Sequence, residues 1–368
     1  MAEILVSGYY GFYNAGDEAI LAGMIRAVRE VAPETTFTVV SGKAAYTRSL
    51  HGVAAVSRGD FKNIWRAMGR ADLFISGGGT LLQDVTSSKS LSYYLGLITM
   101  AKLRLKPVMI YAQGAGPVRR PLGRTLIPVI ANGVDLITVR DPESAETLRH
   151  LGVVRPPLSV TADSALALGP SDPEWGASLL REAGVDPGRP VIGVSVRQWK
   201  QGEAPMQPPL ARALDQLARE AGAQVVFIPM QEPADIEAAT AVSQHMEMPV
   251  VVAQGRYTYA QVMAMIAGCN LLVGMRYHAL VFAAMNGVPL VGLSYDPKND
   301  AFLRLIGETA AGTTQHLEVE AILRAGRRAL SEAIPIRQRL LEKMAELTPL
   351  SRHNATLVAD LLKRRGSR

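Results

Sequence analysis

Residues 271–300 read LLVGMRYHALVFAAMNGVPLVGLSYDPKND, and their pattern decides the fold. Leu271, Leu272 and Val273 end a short apolar run of the kind a buried parallel strand makes, and Gly274 marks the turn off it. Arg276 and His278 follow at once, opening a stretch in which Ala279, Phe282 and Ala283 recur at helical spacing. Asn286-Gly287 stops that helix, and Val288 to Leu293 reads as the next buried strand. Lys298 comes just after it, in Ser294-Tyr295-Asp296-Pro297-Lys298. Ligands of open α/β sheets bind beyond the carboxyl ends of the strands, and that is where these cations fall. Arg276 and His278 at a helix start, with Lys298 one strand away and Gly274 at the turn, suit a small phosphorylated acid. Surface cations with a capping histidine are the plain alternative.

The same rhythm extends in both directions. Ile4 to Ser7, Phe37 to Ser41, Ala71 to Ser76, Val108 to Gln113 and Leu136 to Val139 read as buried strands. Gly169-Pro170-Ser171-Asp172-Pro173 breaks the pattern, and from Val191 it begins again, through Gln224 to Pro229 and Val250 to Val252. Two successive α/β units imply two Rossmann-like domains, residues 1–168 and 175–345, facing across a cleft. Residues 346–368 form a C-terminal helix and basic tail with room to pack back on the first domain.

Several strand ends carry polar or glycine-rich turns. Gly8, Gly11 and Gly16 let the first loop approach a ligand, but they fit neither G-x-G-x-x-G nor a P-loop. Asp17 and Glu18 offer carboxylates there, and an N-cap role explains Asp17 equally well. Gly77-Gly78-Gly79-Thr80, read as leading into an apolar helix, can turn backbone N–H groups toward an anion or a sugar hydroxyl, with Gln83 and Asp84 one helical turn on. Arg140 at the end of its strand can clamp a carboxylate or phosphate, or pair with Asp141.

A length of 368 residues with 48% hydrophobic and 20% charged residues is that of a globular protein with a sizeable core. The net charge of +6 is diffuse apart from Lys363-Arg364-Arg365-Gly366-Ser367-Arg368, a solvated tail or a contact for anionic lipid or nucleic acid. No nucleic-acid-binding motif accompanies it. Cys269 is the single cysteine and sits in an apolar run, as a buried hydrophobe rather than a nucleophile. The first residues read as a strand, not a signal peptide, and no run of 18 apolar residues occurs, so a cytoplasmic protein is expected. No His, Cys, Asp and Glu cluster has ligand spacing, so no essential metal is expected.

Taken in order, the signatures are Gly8-x-x-Gly11-x-x-Asn14-x-Gly16-Asp17-Glu18-Ala19, Ser76-Gly77-Gly78-Gly79-Thr80-Leu81-Leu82-Gln83-Asp84, and Gln113-Gly114-x-Gly116-Pro117. Val139-Arg140-Asp141, Ala162-Asp163, Arg276-x-His278 and Tyr295-Asp296-Pro297-Lys298 complete the set. This ordered set resembles the polysaccharide pyruvyl transferase family, and most closely the CsaB-type enzymes of secondary cell wall polymer synthesis. The resemblance runs from about residue 3 to 305. It implies a GT-B-like fold, phosphoenolpyruvate as donor, and a ManNAc-GlcNAc acceptor on an undecaprenyl diphosphate carrier, with a 4,6-ketal and phosphate as products. A location at the inner face of the membrane, with the basic tail touching lipid, would accord with such an acceptor.

That chemistry needs an acid, a base and cations. Arg140, Arg276 and Lys298 are assigned to the donor's anionic groups, and His278 to the acid or phosphate partner. Asp17 and Asn14, with Gly16, Gly78, Gly79, Gln83 and Asp84, are assigned to the acceptor on the opposite wall. His51, His150, His245, His316 and His353 read as surface residues. A GT-B glycosyltransferase using a nucleotide sugar is the rival reading at the level of fold.

Overall fold

The computed structural model describes residues 2–85, 88–198 and 205–366. The chain forms two compact units: Met1–Phe12, Asp17–Leu168 and Glu346–Arg368 make the first, and Tyr13–Gly16 with Gly169–Ala345 make the second.

The first unit holds strands β1 (Glu3–Ser7), β2 (Thr36–Ser41), β3 (Ala54–Ser57), β4 (Leu73–Ser76), β5 (Gly79–Leu82), β6 (Val108–Ala115), β7 (Leu136–Val139) and β8 (Leu158–Val160). They form one parallel sheet in the order β3-β2-β1-β4-β6-β7-β8, with β5 pairing β6. Its helices are α1 (Ala15–Val31, from Asp17 onward), α2 (Ala44–His51), α3 (Phe61–Arg70), α4 (Ser88–Leu103), α5 (Pro121–Ala131) and α6 (Pro142–His150). Side chains of a strand alternate between faces. Leu5 and Phe74 therefore pack with Ile64, Leu95 and Ile127 on one face, while Ile4, Val6 and Ile75 pack with Ile20, Leu21 and Met24 on the other.

The second unit adds α7 (Pro173–Glu182), β9 (Val191–Ser195), α8 (Gln207–Ala221), β10 (Gln224–Phe227), α9 (Ala234–Ser243), β11 (Val250–Val252) and α10 (Tyr259–Ala267). It continues through β12 (Leu271–Gly274), α11 (Tyr277–Met285), β13 (Leu290–Ser294), α12 (Pro297–Leu305), β14 (Ala310–Thr313), α13 (Val319–Ser331) and the start of α14 (Ala333–Gly366). Its parallel sheet runs β11-β10-β9-β12-β13-β14. Counted within the unit, that is the 3-2-1-4-5-6 order of a Rossmann fold, whose switch point lies between β9 and β12. Both units are thus Rossmann-like.

Four readings of the sequence change. Gly79–Leu82 is strand β5, not the start of a helix: Leu81 and Leu82 are buried and the segment pairs with β6, so Gln83 and Asp84 lie in the turn after it. The helix starts only at Ser88. Helix α2 and strand β3, short elements with little periodicity, are additional. Helix α7 begins inside the expected linker, because Asp172 accepts the Glu174 N–H and Pro173 suits a first turn. The C-terminal helix expected within 346–368 is the later part of a longer one, α14, which starts at Ala333 and holds Pro349 inside it. Beyond that proline, Asn354 bonds the Thr161 hydroxyl and Ser351 donates to the Asp163 carbonyl, both within the first unit. Residues 367–368 of the basic tail lie outside the described residues, as do Trp199 and Lys200.

Candidate active site

In the second unit, Ser195 and Gly274 are register partners, and the Met275 N–H bonds the Ser195 carbonyl at 2.8 Å. The chain therefore leaves β9 and β12 side by side at the switch point, and two residues later each carries an arginine, Arg197 and Arg276. On the next strand, Asp296 caps α12 through the Lys298 N–H, which sets Lys298 in the first turn.

Tyr295 sits among these cations. Arg197 Nη1 donates to its hydroxyl at 3.3 Å, with the guanidinium 4.9 Å from the ring centroid. Lys298 Nζ lies 5.4 Å from the same centroid and 3.5 Å from Asp296. Burial alone would push the Tyr295 phenol up, yet Lys298, Arg197 and Arg276 outweigh it and hold the group below its ordinary value. Three cations thus surround the phenol, two of them, Arg276 and Lys298, beside the carboxylates of Asp235 and Asp296. A cavity of about 230 Å³ adjoins it, with Arg197, Gln198 and Gln207 in its wall.

Arg276 itself is committed. Its Nε reaches both Asp235 oxygens at 3.1 and 2.9 Å, and Nη2 bonds Asp235 and Gln231. Both groups are buried, so the pair is close to neutral and orients the loop rather than presenting a full charge. Asp235 also accepts the N–H groups of Met230 and Gln231 at 3.0 Å. Those two residues hold the segment Tyr13–Gly16 in turn: Ala15 N–H bonds the Met230 carbonyl at 2.8 Å, and Asn14 bridges to Gln231. Tyr13 has a left-handed φ of 56° beneath the Arg256 guanidinium, a strained conformation of the kind that collects at functional sites. Asn14 Oδ1 accepts the Gly16 N–H. A Cβ on Gly16 would lie 2.2 Å from His278 Nδ1, so only glycine leaves room for that imidazole. Asn14 and Gly16, expected on the wall opposite His278, belong to the same unit as it. Gly274 serves packing, since a Cβ there would meet Leu280 at 3.0 Å.

In the first unit the polar residues are mostly tied to one another. Arg140 is buried, 3.2 Å from Asp163, 3.1 Å from the Thr80 hydroxyl and 3.5 Å from Asp141, which caps α6. Asp84 is a correction: it is buried, and its two oxygens accept the N–H groups of Arg119 and Arg120 at 2.8 Å, so it staples a loop instead of facing a sugar. Gln83 closes its own turn on the Val85 N–H. Gly78 leaves room for Ile20, and Gly79, at φ 89°, faces the Asp17 carboxylate. Asp17 is the third residue of α1 and so not its N-cap.

His51 is the second correction. Its side chain is buried and lies 2.8 Å from Glu18, which also accepts the Gly11 N–H at 2.8 Å. The histidine stands at the last position of α2, an element the sequence pattern did not reveal. The other four histidines outside the site are exposed. Cys269 is buried, and burial pushes its thiol up to about 12. Among the described residues no three His, Cys, Asp or Glu side chains gather as a metal-ligating group.

The sequence profile described as Polysaccharide pyruvyl transferase matches residues 14–297, well over half of the chain. The protein belongs to the polysaccharide pyruvyl transferase family. This pyruvyl transferase family enzyme has no match among curated proteins. Its fold is shared with solved structures. S. aureus MnaA, solved with UDP, has a TM-score of 0.68 at 11% identity, covering 100% of this chain and 97% of its own. Anabaena HepE, in complex with UDP-glucose, gives 0.66 at 14%, covering 98% and 100%. The trehalose 6-phosphate synthase of Burkholderia multivorans gives 0.58 at 13%, covering 100% of both chains. At these identities the likeness is one of fold, of the GT-B type that glycosyltransferases and epimerases share.

Proposed function

We propose that this enzyme transfers pyruvate from phosphoenolpyruvate, as a 4,6-ketal, to the ManNAc of a ManNAc-GlcNAc unit on undecaprenyl diphosphate, in the manner of CsaB-type members, and releases phosphate. The supporting observation is the convergence of Arg197 and Lys298 on the Tyr295 ring at the second unit's switch point, with the cavity of about 230 Å³ beside Arg197. A donor carrying both a carboxylate and a phosphate is the kind of ligand such a place takes.

In the reaction, C3 of the donor gains a proton and C2 becomes electrophilic. One sugar hydroxyl adds to C2 and gives up its proton, phosphate departs with the C–O bond electrons, and the second hydroxyl closes the ring. Lys298 and Arg197 hold the donor's anionic groups, each charge-assisted contact contributing about 1.5–3 kcal/mol. Arg276 acts chiefly as a positioning residue through Asp235. His278, seated against Gly16, carries the proton or binds the phosphate. Arg140, pre-oriented by Asp163 and Thr80, is assigned to the donor's charge, and Asp17 to deprotonation of a sugar hydroxyl.

The test is phosphate release from phosphoenolpyruvate with and without a ManNAc-GlcNAc diphosphate carrying a hydrophobic tail. Acceptor-dependent release, with a pyruvate-sized mass gain on the sugar, is the expected result. Absence of both, with tight binding of a UDP-sugar, would favour the glycosyltransferase reading.

A further inference from the structure

Charge in this chain is unevenly distributed. Residues 61–131 contain ten Lys and Arg against two acidic residues, Asp72 and Asp84, although the whole chain carries only +6. Both acids are engaged: Asp72 accepts the Glu3 N–H, and Asp84 is buried beneath the Arg119-Arg120 backbone. This segment holds α3, α4 and α5, which line up on one face of the first unit's sheet with Ile64, Leu95, Ile98 and Ile127 turned inward. Of the ten cations, Lys106 is buried on the Gly69 carbonyl, and Lys102 and Arg70 pair with Asp135 and Glu3; the other seven are exposed, so the outer side is basic as well as apolar.

Trp65 on α3 lies under the Arg104 guanidinium at 4.7 Å, which joins the end of α4 to α3. On either side of Arg104 stand Leu103, 71% exposed, and Leu105, 90% exposed. Val129 on α5 is 70% exposed, and Leu122 is exposed two helical turns earlier on the same helix. The exposed outer positions of α4 between them, Ser92, Gly96 and Thr99, carry no charge.

Leu105 closes α4: the Lys106 N–H bonds the Ala101 carbonyl at 3.0 Å and the Leu105 N–H the Lys102 carbonyl at 2.9 Å, a closure that calls for a left-handed residue, and here that residue is an exposed leucine. Its φ is 53°, a left-handed conformation just past a helix end, where glycine or asparagine is the unstrained choice. A leucine there costs about 1–2 kcal/mol of backbone strain, and at 90% exposure it recovers nothing from packing.

We propose that the outer face of α3, α4 and α5 docks on an anionic lipid membrane. Arginine and lysine side chains would meet the lipid phosphates, while Trp65, Leu103 and Leu105 enter the interface. Exposed aliphatic side chains at the end of α4 and on α5 favour lipid over nucleic acid, whose backbone offers them nothing to enter and whose bases stack on aromatic rings. The inference rests on this surface alone and stands apart from the donor site and from the basic tail.

The test is co-sedimentation of the full chain with vesicles of phosphatidylglycerol and, separately, of phosphatidylcholine. Binding to the first and not the second is expected. Leu105→Gly relieves the strained φ, so it should leave the melting temperature unchanged or raised; together with Leu103→Ser it should weaken vesicle binding about tenfold or more. Arg66→Gln and Arg124→Gln should each weaken it about fivefold. The proposal is overturned if the wild-type chain ignores phosphatidylglycerol, or if the leucine variants bind it as the wild type does. Binding of duplex DNA that the leucine substitutions weaken equally would assign the face to nucleic acid and overturn it too.

Discussion

In the first unit Ser7 of β1 lies in register with Ser76 of β4, and in the second Ser195 of β9 lies in register with Gly274 of β12. These are the same topological place, the switch point of a parallel sheet. From the first pair the chain runs into Gly8 and into Gly77-Gly78-Gly79; from the second it runs into Arg197 and Arg276. The surrounding charges differ as well. In the first unit Arg140 meets Asp163, His51 meets Glu18, and Asp84 meets backbone N–H groups. In the second, Arg276 is matched by Asp235 and Lys298 stands 3.5 Å from Asp296, and Arg197 and Lys298 converge on a phenol. The same strand order around the switch point thus carries glycine turns in one unit and cations in the other.

The sharpest way to break this comparison is at His278. His278→Ala should lower the rate about 10²–10⁴-fold with the fold intact. Steady-state phosphate release and far-ultraviolet circular dichroism check the two halves of that expectation, and normal turnover would remove His278 from the chemistry. Next comes Gly16→Ala. The new methyl would face not only Nδ1 of His278 at 2.2 Å but its Cβ at 2.8 Å, so a ring rotation cannot clear it. Displacing the imidazole by about 1 Å should cost about 10²-fold in kcat, whereas wild-type kcat would show that the contact does not position His278.

The first unit should respond differently. His51→Ala leaves a buried Glu18 oxygen without its partner, which should cost about 1–3 kcal/mol of stability. Denaturant unfolding measures this, and KM for phosphoenolpyruvate should stay at its wild-type value; a changed KM with unchanged stability would contradict a structural role. A smaller effect sharpens the second unit. Among the 11 tyrosines, Tyr295 should ionise below the ordinary value of 10.0, while burial pushes Tyr10, Tyr94 and Tyr111 above it. Tyr295→Phe should therefore remove the earliest step of an ultraviolet alkaline titration. Because the phenol is more acidic folded than unfolded, it adds stability above its unfolded value, and that contribution fades as pH falls through the folded value.

Much of the fold was legible because buried parallel strands are short apolar runs and their turns carry glycine. Leu136–Val139 and Val250–Val252 have the bounds their patterns predict. Strand β5 was not legible, since a glycine triplet before Leu81 and Leu82 suits a helix start as well as a strand, and pairing with β6 decides it. For the candidate site, position was legible and partnership was not. The sequence places Arg276 beyond a strand end, but Asp235, the acid that takes its charge, lies 41 residues earlier. Arg197 stands two residues beyond β9, the same offset that made Arg276 conspicuous, and applying that rule to every strand would have found it. Residue His51 could not be placed without α2, which brings it to Glu18.

The measurement that bears most directly on the central claim is a calorimetric titration of phosphoenolpyruvate into the wild-type enzyme and into Arg197→Gln and Lys298→Gln. Saturable binding by the wild type, weakened about 10–100-fold in each variant, is the expected result, since each substitution removes one charge-assisted contact of about 1.5–3 kcal/mol. Equal affinity in all three proteins would contradict the assignment of the donor to the second unit's switch point.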